Sequence, residues 1–154
     1  MKNTHVESLL PQNVHATSIG KNGVAVLFLG PSGSGKSDLA LRLMDRGWGL
    51  ISDDRTDLVR HENRLLARAP GVLAGLMEVR GLGVVNVPYL NSDTPVCMAV
   101  ELVPLDRVER LPEPQETVVF GIPLPLFRLY AFEASAPLKV EKALGLVLKG
   151  DSRP

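Results

Sequence analysis

Gly30-Pro31-Ser32-Gly33-Ser34-Gly35-Lys36-Ser37 constrains this chain more than any other stretch. It reads G-x-x-x-x-G-K-S, follows the apolar run Val24–Leu29, and opens a helical pattern over 37–45. A buried strand, a glycine-rich turn and a helix, in that order, are what a phosphate-binding loop requires. Gly30, Gly33 and Gly35 let backbone N–H groups turn inward around a polyphosphate with no Cβ in the way. The helix start adds the positive end of its dipole. In such a loop Lys36 meets the β- and γ-phosphates, and the Ser37 hydroxyl is a ligand for Mg²⁺.

The chain has 154 residues, the size of one domain with one sizeable core. Apolar content of 45% with mixed charge excludes a disordered chain. Lys plus Arg equals Asp plus Glu at 17 each, so no global basic bias points to nucleic acid or a membrane surface. Cys97 is the only cysteine, which rules out an internal disulfide and fits a reducing cytoplasm. No apolar run reaches membrane-spanning length. Residues 1–12 read as a flexible lead-in, 13–150 as a single domain and 151–154 as a polar tail.

Helix one carries Leu39, Ala40, Leu43 and Met44 on one face, and Gly47 stops it. A short strand, Gly49-Leu50-Ile51-Ser52, runs into Asp53-Asp54. Residues 56–60 and 64–68 read as a hairpin turning at His61-Glu62-Asn63. Short β-like runs follow at 75–79, 84–87, 96–103 and 117–122, punctuated by prolines that exclude long helices there. Ser135 is the expected N-cap of a last amphipathic helix of about three turns, with Leu138, Ala143, Leu144, Val147 and Leu148 as its apolar face. Trp48 is expected to pack over the end of helix one and Cys97 to lie in the core. His5 and His61 read as ordinary surface residues. The fold class is α/β: a P-loop kinase domain with a mixed, strand-rich sheet and few helices.

Phosphoryl transfer needs more than a cradle. It needs a carboxylate for the metal, or one that takes the proton of the attacking hydroxyl. Asp53 and Asp54 end the strand that returns after the loop's helix, where an α/β sheet lines its ligand crevice. Adjacent strand residues face opposite ways. One of the pair is therefore expected at the reacting hydroxyl, with the other fixing the loop or a metal-bound water; a turn-capping pair is the plainer alternative. Glu78-Val79-Arg80-Gly81-Leu82-Gly83 sets a charged pair beside two glycines inside an apolar stretch. Glu78 is a candidate Mg²⁺ ligand and Arg80 a candidate phosphate contact, against a plain salt bridge beside a turn.

His15, the Gly30–Ser37 loop, Asp53-Asp54-Arg55 and Glu78-Val79-Arg80-Gly81-Leu82-Gly83, in that order, resemble the catalytic domain of the HPr kinase/phosphorylase family. The likeness runs from about His15 to Arg110, and the E-V-R-G-L-G block is its most specific part. The resemblance implies ATP and Mg²⁺ as cofactors and a serine of the phosphocarrier protein HPr as acceptor. It also implies a reverse phosphorolysis, a fold like the nucleotide domain of phosphoenolpyruvate carboxykinase, a homo-oligomer (typically a hexamer) and a cytoplasmic setting. It implies catalytic roles for His15, Lys36, Asp54 and Arg110, with Asp54 as general base, and Mg²⁺ ligation by Ser37 and Glu78. The chain begins close to the start of that domain, so a short form without the family's N-terminal domain is expected. It departs from the family after Pro123, where no glycine-arginine-asparagine element follows. Two other readings remain: a P-loop kinase of a small metabolite, disfavoured because only Arg128 and Arg153 follow Arg110 to furnish a lid, and a nucleotide-binding regulator.

Overall fold

The computed structural model describes residues 11–150. The apolar run Val24–Leu29 is strand β3, and it is apolar throughout because both of its faces are covered. Val26 and Phe28 enter one core with helices α1 (Lys36–Met44) and α2 (Ala136–Leu148), while Ala25 and Leu27 enter a second core on the opposite face. β9 (Thr94–Leu102) runs parallel to β3 and alternates in the same way: Met98, Val100 and Leu102 face the helices and Ala99 the other side. β4 (Gly49–Ser52) divides Leu50 and Ile51 between the same two cores.

These strands join β1 (Gln12–Val14), β2 (Thr17–Lys21), β5 (Thr56–His61) and β6 (Arg64–Arg68) in the order β1-β5-β6-β9-β3-β2-β4. β11 (Ile122–Leu129) adds in parallel to β9, and β10 (Gln115–Val119) pairs antiparallel with β11. A separate hairpin, β7 (Leu76–Val79) and β8 (Gly83–Asn86), docks through buried Met77 in the core beside α1. The result is a mixed, strand-rich α/β fold with two α-helices among the described residues.

The pairing fixes where a site can form. β3 and β4 are each antiparallel to β2, so they run the same way; β9 and β11 are parallel to β3 in turn. The carboxyl ends of β11, β9, β3 and β4 therefore share one edge of the sheet. On that edge the chain leaving β3 lies between the chain leaving β11 and the chain leaving β4.

Several elements differ from the sequence expectation. β2 is unexpected because its buried residues include the polar Thr17 and Ser18 and the side-chain-less Gly20, which carry no apolar alternation. The turn Asn22-Gly23, with φ 53° and 82°, closes it tightly on β3. The expected strand over 117–122 is instead a hairpin: Phe120 and Gly121, with φ 52° and 74°, form its two-residue turn between β10 and β11. β11 was masked by Pro123 and Pro125. Both lie where β11 pairs only with β10, before its pairing to β9 begins at Leu126, so one flank is free for a missing N–H.

In α2, Ser135 holds the N-cap position but its side chain makes no capping bond; a proline in the first turn sets the start instead. The buried face is Ala136, Pro137, Val140, Ala143 and Leu144. Leu138, two residues off that stripe, is exposed, as is Leu148 at the helix end. The 1–12 lead-in and the 151–154 tail lie outside the described residues apart from 11 and 12, and Gln12 already belongs to β1. No helix among the described residues is long and apolar enough to cross a membrane. Cys97 is half-buried, 3.4 Å from the Ala25 carbonyl, and burial pushes its thiol up to about 11.

Glu141 ties α2 to the far end of α1. Its carboxylate accepts hydrogen bonds from Arg46 Nη2 (2.7 Å) and Nε (3.1 Å) and from buried Trp48 Nε1 (3.1 Å), with Lys21 at 3.8 Å. The Arg46 hydrogen bond holds the Glu141 carboxyl below the ordinary glutamate value. A depressed carboxyl stabilises the fold fully above its unfolded value and loses that increment as pH falls through the folded one. Glu141→Gln is expected to cost about 1–2 kcal/mol near neutral pH. The deficit relative to the parent chain should shrink toward acid, and thermal unfolding of both chains across pH reads it.

Candidate active site

The loop after β3 turns back on itself through a Ser34 N–H to Pro31 carbonyl bond of 3.1 Å, and α1 begins with Leu39 N–H on Gly35 O at 2.9 Å. Gly35 sits at φ 101°. A Cβ there would stand 2.6 Å from Ala131 Cβ and 3.0 Å from Phe132 Cζ, so glycine is required both by conformation and by close approach. Gly33, at φ 84°, meets nothing within 4 Å. Gly35→Ala is therefore expected to destabilise by about 2–4 kcal/mol and Gly33→Ala by about 1 kcal/mol, a difference that urea unfolding resolves. Equal costs would mean that the 131–132 contact contributes nothing.

Lys36 is buried, and its Nζ donates to Gly30 O (2.7 Å) and Pro31 O (3.1 Å), which holds the ammonium across the mouth of the loop. Ser37, next along α1, donates its hydroxyl to Asp53 Oδ1 at 2.5 Å. Asp53 is buried and accepts three hydrogen bonds in all: Thr17 Oγ1 also donates to Oδ1 (3.2 Å), and the Glu78 backbone N–H donates to Oδ2 (3.0 Å). One carboxylate thus joins α1, β2, β4 and the β7–β8 hairpin.

Asp54 takes a different conformation. It has φ 68°, uncommon for a side-chain-bearing residue, and an Arg55 N–H to Asp53 O bond of 2.7 Å closes a three-residue turn around it. Its own N–H donates to Thr17 Oγ1 at 3.0 Å, so buried Thr17 bridges both aspartates. Strand geometry would have sent the two carboxylates to opposite faces; the left-handed turn brings both into one cleft. Strain of this kind costs about 1–3 kcal/mol and collects at functional sites. His15, in the β1–β2 turn, places Nε2 2.7 Å from Asp54 Oδ1, with both side chains substantially exposed.

The cleft encloses about 370 Å³. Of the sequence candidates it gathers His15, Ser32, Gly33, Gly35, Lys36, Ser37, Asp53, Asp54, Glu78 and Arg80, while Gly30, Pro31 and Ser34 shape the loop beneath. Glu78 and Arg80 are exposed on its rim, and no ion pair joins them among the described residues. Arg110 is not brought here. It lies in a second cleft of about 230 Å³ with Arg107, Glu113 and Arg128, beside β11. The sequence carries it within a proline-punctuated loop whose path no periodicity reports.

Thr17, Leu41 and Phe132 also belong to the site and were not singled out from sequence. The Asn22-Gly23 turn was the available signal for Thr17, since it implies a strand running back from it. No cluster of three or more His, Cys, Asp or Glu of metal-binding geometry occurs among the described residues. The Ser37 hydroxyl and Asp53 carboxylate at 2.5 Å are nonetheless the donor set that a hard divalent cation takes at a phosphate-binding loop.

Fold and site together define a strand-rich α/β domain in which a glycine-rich loop and helix start face two carboxylates across a cleft. The chain belongs to the HPr serine kinase C-terminal domain family, whose model matches residues 8–125. It is 32% identical over 149 residues to the HPr kinase/phosphorylase of Lacticaseibacillus casei, covering 90% of this chain and 44% of that protein. It is 34% identical over 148 residues to that of Lactiplantibacillus plantarum, with 90% and 45% covered. The chain therefore spans a little under half the length of these relatives. Among solved structures it matches the Hpr(Ser) kinase/phosphatase from Coxiella burnetii with a TM-score of 0.79 at 27% identity, over 92% of this chain and 99% of that one.

Proposed function

We propose that this chain is an ATP-dependent serine protein kinase that phosphorylates the phosphocarrier protein HPr or a close relative of it. The observation that carries the reading is one cleft holding the Lys36 loop, the Ser37–Asp53 pair and the His15–Asp54 pair. Lys36 exchanges its two carbonyl partners for the β- and γ-phosphates, and backbone N–H groups of the loop bind the same oxygens. Ser37 and Glu78, with the Asp53 carboxylate beside Ser37, would hold Mg²⁺, which when bound would neutralise charge on the phosphates. His15 occupies Asp54 Oδ1 and orients the carboxylate, so that the other oxygen accepts the proton of the incoming serine hydroxyl. The serine oxygen then bonds to the γ-phosphorus, the bond to the β–γ bridging oxygen breaks, and ADP leaves. Arg80, on the cleft rim, adds positive charge near the transferred group.

The phosphorolysis direction uses the same residues: an oxygen of inorganic phosphate bonds to the phosphoserine phosphorus, the bond to the serine oxygen breaks, Asp54 as acid protonates that oxygen, and pyrophosphate leaves. Kinship to the nucleotide domain of phosphoenolpyruvate carboxykinase, self-assembly into a hexamer and a cytoplasmic setting belong to the same reading; sedimentation velocity tests the assembly. The deciding experiment incubates the chain with Mg²⁺, γ-labelled ATP and HPr from the same organism. Label on an HPr serine is expected. Tight ATP binding with no labelled serine would overturn the kinase reading in favour of a nucleotide-binding regulator.

A further inference from the structure

We infer that Phe132 is the stacking platform for the nucleobase of the nucleoside triphosphate, in a segment with no assigned role; the inference rests on the phosphate-binding reading of the loop. Phe132 lines the cleft and is 52% exposed, an unusual state for a phenylalanine beside a core. It is nevertheless held in place. Arg42 of α1 donates to the carbonyls of Ala131 and Glu133, the residues on either side, and is itself braced by Asp38 at 2.8 Å. Tyr130 and Phe132 form a T-shaped pair, centroids 5.8 Å apart, which fixes the ring while half of its surface stays open to the cleft. The ring also lies against Gly35, at the end of the phosphate-binding loop.

Strand order supplies the direction. Phe132 follows β11, Asp53 and Asp54 follow β4, and the loop after β3 lies between them on the shared edge. A triphosphate in the loop with its reacting end at Asp54 must carry its nucleoside away from the β4 side. Phe132 stands on the side it would reach, with Leu41 of α1 as a second apolar wall of the same cleft. Aromatic stacking tolerates any base but requires one.

The test measures equilibrium binding of Mg²⁺-ATP and of inorganic tripolyphosphate, which has no base, to the intact chain and to Phe132→Ala and Phe132→Trp. Phe132→Ala is expected to weaken ATP binding roughly 5- to 150-fold while tripolyphosphate binding stays unchanged. Phe132→Trp is expected to retain ATP. Unchanged ATP affinity in Phe132→Ala overturns the inference, as does an equal loss for both ligands, which would mean that the ring only supports the loop. A parent chain that binds neither ligand overturns the phosphate-binding reading and this inference with it.

Discussion

Asp54→Asn is expected to bind ATP as the parent chain does and to transfer phosphate about 10²- to 10⁴-fold more slowly. The amide keeps the size of the carboxylate and cannot take the hydroxyl proton. The substitution is also structurally quiet. Asp54 holds φ 68°, a conformation asparagine adopts as readily as aspartate, and its N–H bond to Thr17 Oγ1 is a backbone contact that survives the change. In the proposed reading the phosphate contacts lie elsewhere, on Lys36 and the loop. Single-turnover transfer together with ATP binding separates the two effects. Normal transfer by Asp54→Asn would remove Asp54 as the base.

Lys36→Ala is expected to raise the dissociation constant for ATP by about 100-fold or more and to reduce transfer to background. A buried ammonium makes charge-assisted contacts worth about 1.5–3 kcal/mol each, and a triphosphate offers at least two partners. The parent chain already satisfies that ammonium with Gly30 O and Pro31 O, so the substitution also strips two carbonyls at the loop's mouth of a donor. A stability loss of about 1–2 kcal/mol accompanies the loss of binding, and circular dichroism on heating distinguishes the two. Lys36→Arg is not expected to rescue, because a planar guanidinium does not fit the volume of a buried ammonium. Full activity in Lys36→Ala would end the phosphate-loop assignment.

Much of the site was legible because its residues are close in sequence or carry rare signals. The Gly30–Ser37 loop, β3 and α1 form one contiguous unit, and local patterning reports such units well. The two glycines of the Glu78–Gly83 block were a rare local signal, and they stand at the turn of the β7–β8 hairpin. Two things were hidden by chemistry. β2 is buried with threonine and serine, whose hydroxyls are satisfied by hydrogen bonds rather than by apolar contact: Thr17 pairs with Asp53 and Ser18 with Thr56, which in turn donates to Ala16 O. β11 carries two prolines, which read as loop until the ladder shows that one flank of each is unpaired.

Local sequence determined the loop, its helix, the strand that buries both faces and the presence of two adjacent carboxylates, because backbone sterics and hydrophobic periodicity act over a few residues. Only the tertiary structure decided what those carboxylates contact. The contact of His15 with Asp54 joins residues 39 apart, and that of Ser37 with Asp53 residues 16 apart. Phe132 reaches the loop from the far end of the chain, and Arg110 is carried to a different cleft. These outcomes follow from strand order and register, which cooperative packing of the whole sheet settles and no short stretch of residues encodes.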